Sequence, residues 1–118
     1  MTKHALFPQA ELDAGDVRRV TIDGIAVVVV RTAAGELKAL RDICPHQGAR
    51  LSKGRLEAAV DGPGVGVYEL SADRVILRCP WHGYEFDVET GRCLADPGSR
   101  VRTYPVTVED GVIVVERG

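Results

Sequence analysis

The sequence predicts an all-β protein, built from antiparallel sheets as a sandwich or small barrel. Short apolar runs rich in valine recur between clusters of Gly, Pro and Asp, the pattern of strands joined by turns. No stretch keeps a helical period for more than about one turn, and residues 9–14 are the best helical candidate. No self-similarity appears at a solenoid spacing. A chain of 118 residues suits one domain, so residues 1–118 are read as a single unit.

The elements follow in order. Residues 18–22 are the first expected strand, and Asp23-Gly24 is a hairpin turn signal. Residues 25–32, IAVVVVRT, come next; four consecutive valines favour a strand because β-branched side chains fit a pleated surface better than a helix. Residues 33–36 turn the chain and 37–43 return. Strands are expected at 55–60 and 67–70, with DGPGVG at 61–66 as a loop because of its glycine and proline. Residues 75–78 form a further strand. Residues 84–88 and 92–95 flank Glu89-Thr90-Gly91 as a hairpin. The last hairpin joins 101–108 to 112–116 through Glu109-Asp110-Gly111. Val101 and Thr103 share one face, and Val106 and Val108 share the other phase, so a bulge is expected at Pro105.

Composition excludes several classes of function. The net charge of −2 offers no sequence-wide basic field for nucleic acid. No run approaches the ~18 apolar residues of a membrane span, and the N-terminal MTKHALFPQAELDAGD has no apolar signal core. Three cysteines are too few, and odd in number, for a disulfide framework. The expectation is a reduced, cytoplasmic chain that acts as a monomer and binds neither nucleic acid nor membrane.

Two phrases carry the chemistry. CPHQG spans 44–48 and CPWHG spans 79–83, using two of the three cysteines and two of the three histidines. Thiolate and imidazole are ligands for zinc, copper and iron–sulfur centres. Thirty-two residues separate His46 from Cys79, and each phrase follows an apolar strand. Two loops at one end of a sheet can therefore present Cys44, His46, Cys79 and His82 together. Structural zinc is the competing reading, but its usual spacing pairs cysteine with cysteine and histidine with histidine. Here each loop supplies one of each. That split suits a two-iron centre in which one iron takes both thiolates and the other both imidazoles.

The double phrase resembles the Rieske motif, C-x-H with C-x-x-H. YEFDVETGRCL, VRTYPVTVEDGVIVV and the N-terminal half AELDAGDVRRVTIDGIAVVVVRTAAGELKALRDICPH also resemble Rieske ferredoxins. The resemblance implies the Rieske iron–sulfur fold, with a cluster-binding part at about 44–98. It implies one [2Fe–2S] cluster, its inner iron held by Cys44 and Cys79 and its outer iron by His46 and His82. Gly48 and Gly83 would admit backbone amides to the bridging sulfides, and Pro45 and Pro80 would stiffen the loops. Asp96-Pro97-Gly98 matches a segment that covers a third side of the cluster.

Departures from the wider family sharpen the reading. Members with a disulfide between the loops carry cysteines where this chain has Ala49 and Trp81, and a serine where it has Tyr84. No such bridge is possible, and fewer donors face the sulfides. A potential at the low end of the Rieske range, roughly −150 mV, is expected. The spacing between motifs is longer than in compact members, which implies a lengthened hairpin at about 58–72. Cys93 reads as a packed thiol and His4 as a solvated side chain in an N-terminal tail.

Three functions remain open. The first is a one-electron carrier passing electrons from a flavin-containing reductase to a terminal oxygenase. Its chain alone is not the oxygenase, because only His4 is left for a mononuclear iron site. The second is a small subunit of a larger redox enzyme, such as a nitrite reductase. The third is a binding module stabilised by zinc. For either redox role, Pro45, Gln47, Pro80 and Trp81 would flank the outer histidines and meet the partner.

Overall fold

The four valines of the third strand explain the architecture. In the computed structural model, which describes residues 2–45, 48–64, 67–80, 84–94, 96 and 98–117, ten strands form three antiparallel sheets. They are β1 (Thr2–Pro8), β2 (Val17–Ile22), β3 (Ile25–Arg31), β4 (Leu37–Arg41), β5 (Arg55–Gly64), β6 (Val67–Arg78), β7 (Glu85–Asp87), β8 (Thr103–Tyr104), β9 (Val106–Glu109) and β10 (Val112–Arg117). The middle sheet has the order β2-β3-β4-β8; the others are β1-β10-β9 and β5-β6-β7.

Successive side chains on a strand point to opposite faces. Val27 and Val29 accordingly join one core with Leu12, Ala39, Ile113 and Val115. Val28 and Val30 join a second core with Leu40, Leu77, Phe86, Cys44 and Cys79. The middle sheet is thus covered on both faces, which is why β3 reads as a continuous apolar run rather than an alternation. The all-β expectation holds, and the described residues include only two short 3-10 turns, Gln9–Glu11 and Leu51–Lys53. Among them no helix is long and apolar enough to cross a membrane.

Both Asp-Gly turns form as read. Asp23 and Gly24 have φ of 50° and 78°, and Asp110 and Gly111 have 51° and 77°. Two consecutive left-handed residues give the hairpin turn whose twist matches the flanking strands.

Five expectations need correction. The N-terminus is a strand, not a tail: β1 pairs with β10, His4 opposite Val115. His4 is half-buried, with Nε2 3.0 Å from Thr2 Oγ1 and 3.4 Å from Asp23 Oδ2. The helical candidate at 9–14 shrinks to the 3-10 turn Gln9–Glu11. Residues 61–64 continue β5, and β6 is unbroken from Val67 to Arg78. Pro63 is tolerated there because β5 is an edge strand, and the pairing absorbs two register shifts. Of the expected strand 92–95, whose Ala95 lies outside the described residues, Cys93 and Arg92 make isolated bridges, to Phe86 and Arg100. Finally, Pro105 marks no simple bulge. Before it β8 pairs with β4; after it β9 pairs with β10. The phase change in the sequence is a strand leaving one sheet for another.

Candidate metal centre

The two cysteine phrases sit in loops that the second core holds together. The first loop lies between β4 and β5, the second between β6 and β7. Cys44 and Cys79 are 0% and 1% exposed, and both belong to the apolar cluster of Leu51, Leu77 and Phe86. None of the three cysteines is in a disulfide. His46, Gln47, Trp81, His82 and Gly83 lie outside the described residues, as does Pro97.

The loops close in the same way. Cys44 N–H donates to Ala49 O at 2.8 Å, and Cys79 N–H donates to Tyr84 O at 2.7 Å. In each case the acceptor is five residues ahead, although one phrase is C-x-H and the other C-x-x-H. Ala49 and Tyr84 also pack against the core that buries the thiols. Both are among the three positions that depart from the disulfide-bearing pattern, and they anchor the loop exits. Gly48 donates to Cys44 O at 2.8 Å with φ of +68°. That left-handed conformation itself selects glycine; among the described residues beyond its chain neighbours, no atom lies within 4 Å of where a Cβ would stand.

Two further residues fix the loops, and sequence reasoning passed over both. Asp42, whose side chain is 0% exposed, leaves β4 two residues before Cys44. Its Oδ1 accepts Ser52 N–H at 2.7 Å, and its Oδ2 accepts Ser52 Oγ at 2.6 Å and an Arg19 guanidinium N–H at 3.2 Å. The carboxylate thus ties the entry of the first loop to its exit, and a buried charge is tolerable because it is paired and hydrogen-bonded. Gly54 ends the 3-10 turn after that loop. A Cβ on it would stand 1.8 Å from Arg78 O, so the first loop's exit rests directly on the strand that enters the second.

A third loop shares the same core. Cys93 is 1% exposed and packed, as expected. Its N–H donates to Ser99 O at 2.9 Å, and Ser99 N–H donates to Asp96 O at 2.9 Å. Asp96 and Gly98 therefore sit in a short stretch tied back to Cys93, which shares the core that holds Cys44 and Cys79.

This donor set fits a thiolate-ligated metal group. Two cysteines are buried in one apolar core, outside any disulfide. They sit at the bases of twin loops whose next residues, Pro45 and Pro80, are exposed. Such a core excludes water from a soft ligand pair, while Pro45 and Pro80 beside it face solvent.

Comparison with known proteins gives the same direction. The family model described as "Rieske [2Fe-2S] domain" matches residues 2–105. The chain is 32% identical over 107 residues to the ferredoxin component of a naphthalene 1,2-dioxygenase system from Pseudomonas aeruginosa, covering 90% of this chain and 86% of that one. Its structure resembles a protein assigned as an NADH-dependent nitrite reductase small subunit from Mycobacterium tuberculosis, with a TM-score of 0.83, 26% identity and coverage of 99% and 96%. It also resembles a chain from a complex of oxygenase and ferredoxin in carbazole 1,9a-dioxygenase, with a TM-score of 0.73, 25% identity and coverage of 96% and 100%.

Proposed function

Because this chain belongs to the Rieske [2Fe–2S] domain family, we propose that it carries single electrons from a flavin-containing reductase to a terminal oxygenase. Its cofactor is a Rieske-type [2Fe–2S] cluster, which supplies a one-electron couple when bound. In our reading Cys44 and Cys79 hold the inner iron, and His46 and His82 hold the outer iron. The observation that carries this assignment is the pair of buried cysteines at the bases of twin loops.

The chain's own residues then divide the work. Leu51, Leu77 and Phe86 keep water from the thiolates. The backbone bonds to Ala49 and Tyr84 set the loop exits, and the loop holding Asp96 and Gly98 closes a third side. Electrons enter and leave beside Pro45 and Pro80, which are exposed next to the buried thiols. With Ala49 and Trp81 in place of a bridge and Tyr84 in place of a hydroxyl donor, the midpoint potential is roughly −150 mV. We further read residues 1–118 as one domain working as a cytoplasmic monomer. Its cluster-binding part is about 44–98, and the β5–β6 hairpin is the lengthened segment at about 58–72.

The deciding experiment is the visible and EPR spectrum of the dithionite-reduced protein, with iron and acid-labile sulfide assayed in parallel. Equal iron and sulfide with a Rieske-type signal, altered or lost in His46→Cys and His82→Cys, supports the assignment. A colourless protein containing zinc overturns it, and a clearly positive midpoint overturns the low potential. Trp81→Ala should slow transfer to a partner while leaving the cluster intact.

A second reading is favoured by the likeness to the nitrite reductase small subunit. In that reading the same domain stays docked on a larger enzyme. Size-exclusion of the native complex separates the two: a free carrier elutes at its own 12.7 kDa, and a docked subunit co-elutes with its enzyme.

A further inference from the structure

Charge is unevenly spread around the first cysteine loop. Between residues 41 and 55 stand Arg41, Arg50, Lys53 and Arg55, with Asp42 as the only acid. Asp42 is buried and already committed to Ser52 and Arg19. The four cations are exposed, and none forms an ion pair among the described residues. They fall beside two open hollows. Arg41, Asp42, Ile43, Gly48 and Arg50 help to line one. Lys53, Arg55, Arg78, Cys79 and Pro80 line the other with Glu57. In the second hollow Arg78 holds both Glu57, at 3.1 Å, and Glu85, at 3.3 Å. Among the described residues those carboxylates pair with Arg78 rather than with Lys53 or Arg55, and the three cations outnumber them by one.

The rest of the chain has the opposite balance, since its net charge is −2. A net-negative chain that gathers cations beside both cysteine loops has built a local field against its own monopole. Ile43, 40% exposed, and exposed Pro45 and Pro80 give that field an apolar centre. An apolar centre with a charged margin is the anatomy of a docking patch, and like-signed margins steer encounter and fix orientation.

We propose that Arg41, Arg50, Lys53 and Arg55 form a cationic docking rim for a redox protein that presents carboxylates around its own electron-exchange site. The inference rests on the carrier reading above and names the chemistry of the partner's face.

The test uses the holo-protein, reduced and mixed with ferricyanide in stopped flow. One electron passes from the reduced cluster to each ferricyanide, giving ferrocyanide. If the net charge governs, the rate rises with ionic strength, because screening relieves repulsion; if the rim governs, the rate falls. Two double variants remove equal charge from different places. Lys53→Gln with Arg55→Gln acts on the rim; Lys3→Gln with Arg18→Gln acts on the side of β1. The rim pair should slow ferricyanide about threefold or more at low salt, while the remote pair changes it by less than about 1.5-fold. Mammalian cytochrome c, cationic around its haem edge, should instead be reduced faster by the rim variant than by the remote one.

A rate that rises with salt in the unmodified protein, or equal effects of the two pairs, overturns the rim. EPR spectra of the variants keep the two ideas apart. A normal cluster with the wrong salt dependence removes only the rim, whereas a chain that assembles no cluster removes the carrier reading and the rim with it.

Discussion

The two cysteine loops share one type of closing hydrogen bond and are braced by different means. Both are closed by a cysteine N–H bonded to the carbonyl five residues ahead. The first, however, is held by a buried carboxylate spanning its two ends, Asp42 to Ser52. The second is held by strand pairing, since β6 and β7 run antiparallel on either side of it with Leu77 opposite Phe86. A loop that returns its chain as a hairpin inherits its brace from the ladder. A loop that leads from β4 into a 3-10 turn and a different sheet has no ladder to share, and a polar clamp takes its place.

The comparison breaks most sharply at the clamp. Asp42→Ala removes the acceptor for Ser52 N–H, Ser52 Oγ and Arg19 together. We expect a loss of about 3 kcal/mol in urea unfolding, within the range for breaking a buried pair from one side. Iron content should fall with it, and Asp42→Asn should recover part of both because the amide oxygen still accepts from Ser52. Full cluster occupancy in the alanine variant would show that the first loop needs no clamp.

Next in size is the junction of the loops. Gly54→Ala puts a Cβ where Arg78 O already stands, 1.8 Å away. Neither partner is a flexible side-chain end, so backbone has to move, at about 2 kcal/mol. The displaced carbonyl directly precedes Cys79. We therefore expect the second loop to register the change, as a shifted EPR spectrum in a variant made in the first. An unchanged spectrum with lowered stability would show the loops to be mechanically separate.

How much of this was legible depends on how local the cause was. Asp23-Gly24 and Asp110-Gly111 act over two residues, and they were read correctly as turns. The valines of β3 and the pairing of cysteine with histidine in each phrase are equally local. Asp42 and Ser52 are ten residues apart, and Gly54 meets a carbonyl 24 residues away; no single-sequence pattern links such positions. β1 carries TKHALFP, which shows no clean alternation, and it is a strand because β10 offers an edge. Pro63 argued for a loop because proline lacks a donor, but an edge strand does not require one. The phase change at Pro105 was seen, yet only the partner sheets tell a bulge from a crossing. His46 and His82, the other half of the proposed ligand set, were reached from the motif alone.

The smallest effect concerns the far ends of the same two elements. Lys38, near the start of β4, lies 2.6 Å from Glu89, just past β7. The pair ties together the strands that lead into the first loop and out of the second, at the end away from both. The hydrogen bond to Glu89 raises the Lys38 pKa above its ordinary 10.5, against a smaller opposing effect of burial. A cation whose pKa is raised by folding contributes stability that is complete below the unfolded value and is lost as pH rises through the folded one. Glu89→Gln should therefore lower stability by about 0.5 kcal/mol at neutral pH, since Glu89 is 63% exposed and water screens the pair. That difference should persist to about pH 10 and close as the pH climbs beyond 10.5. Unfolding curves of the two proteins at pH 8 and pH 11 measure it. A gap that stays the same at the higher pH would mean that Glu89 stabilises the strands by packing rather than by charge, and that the distal ends, unlike the clamp at Asp42, are not held electrostatically.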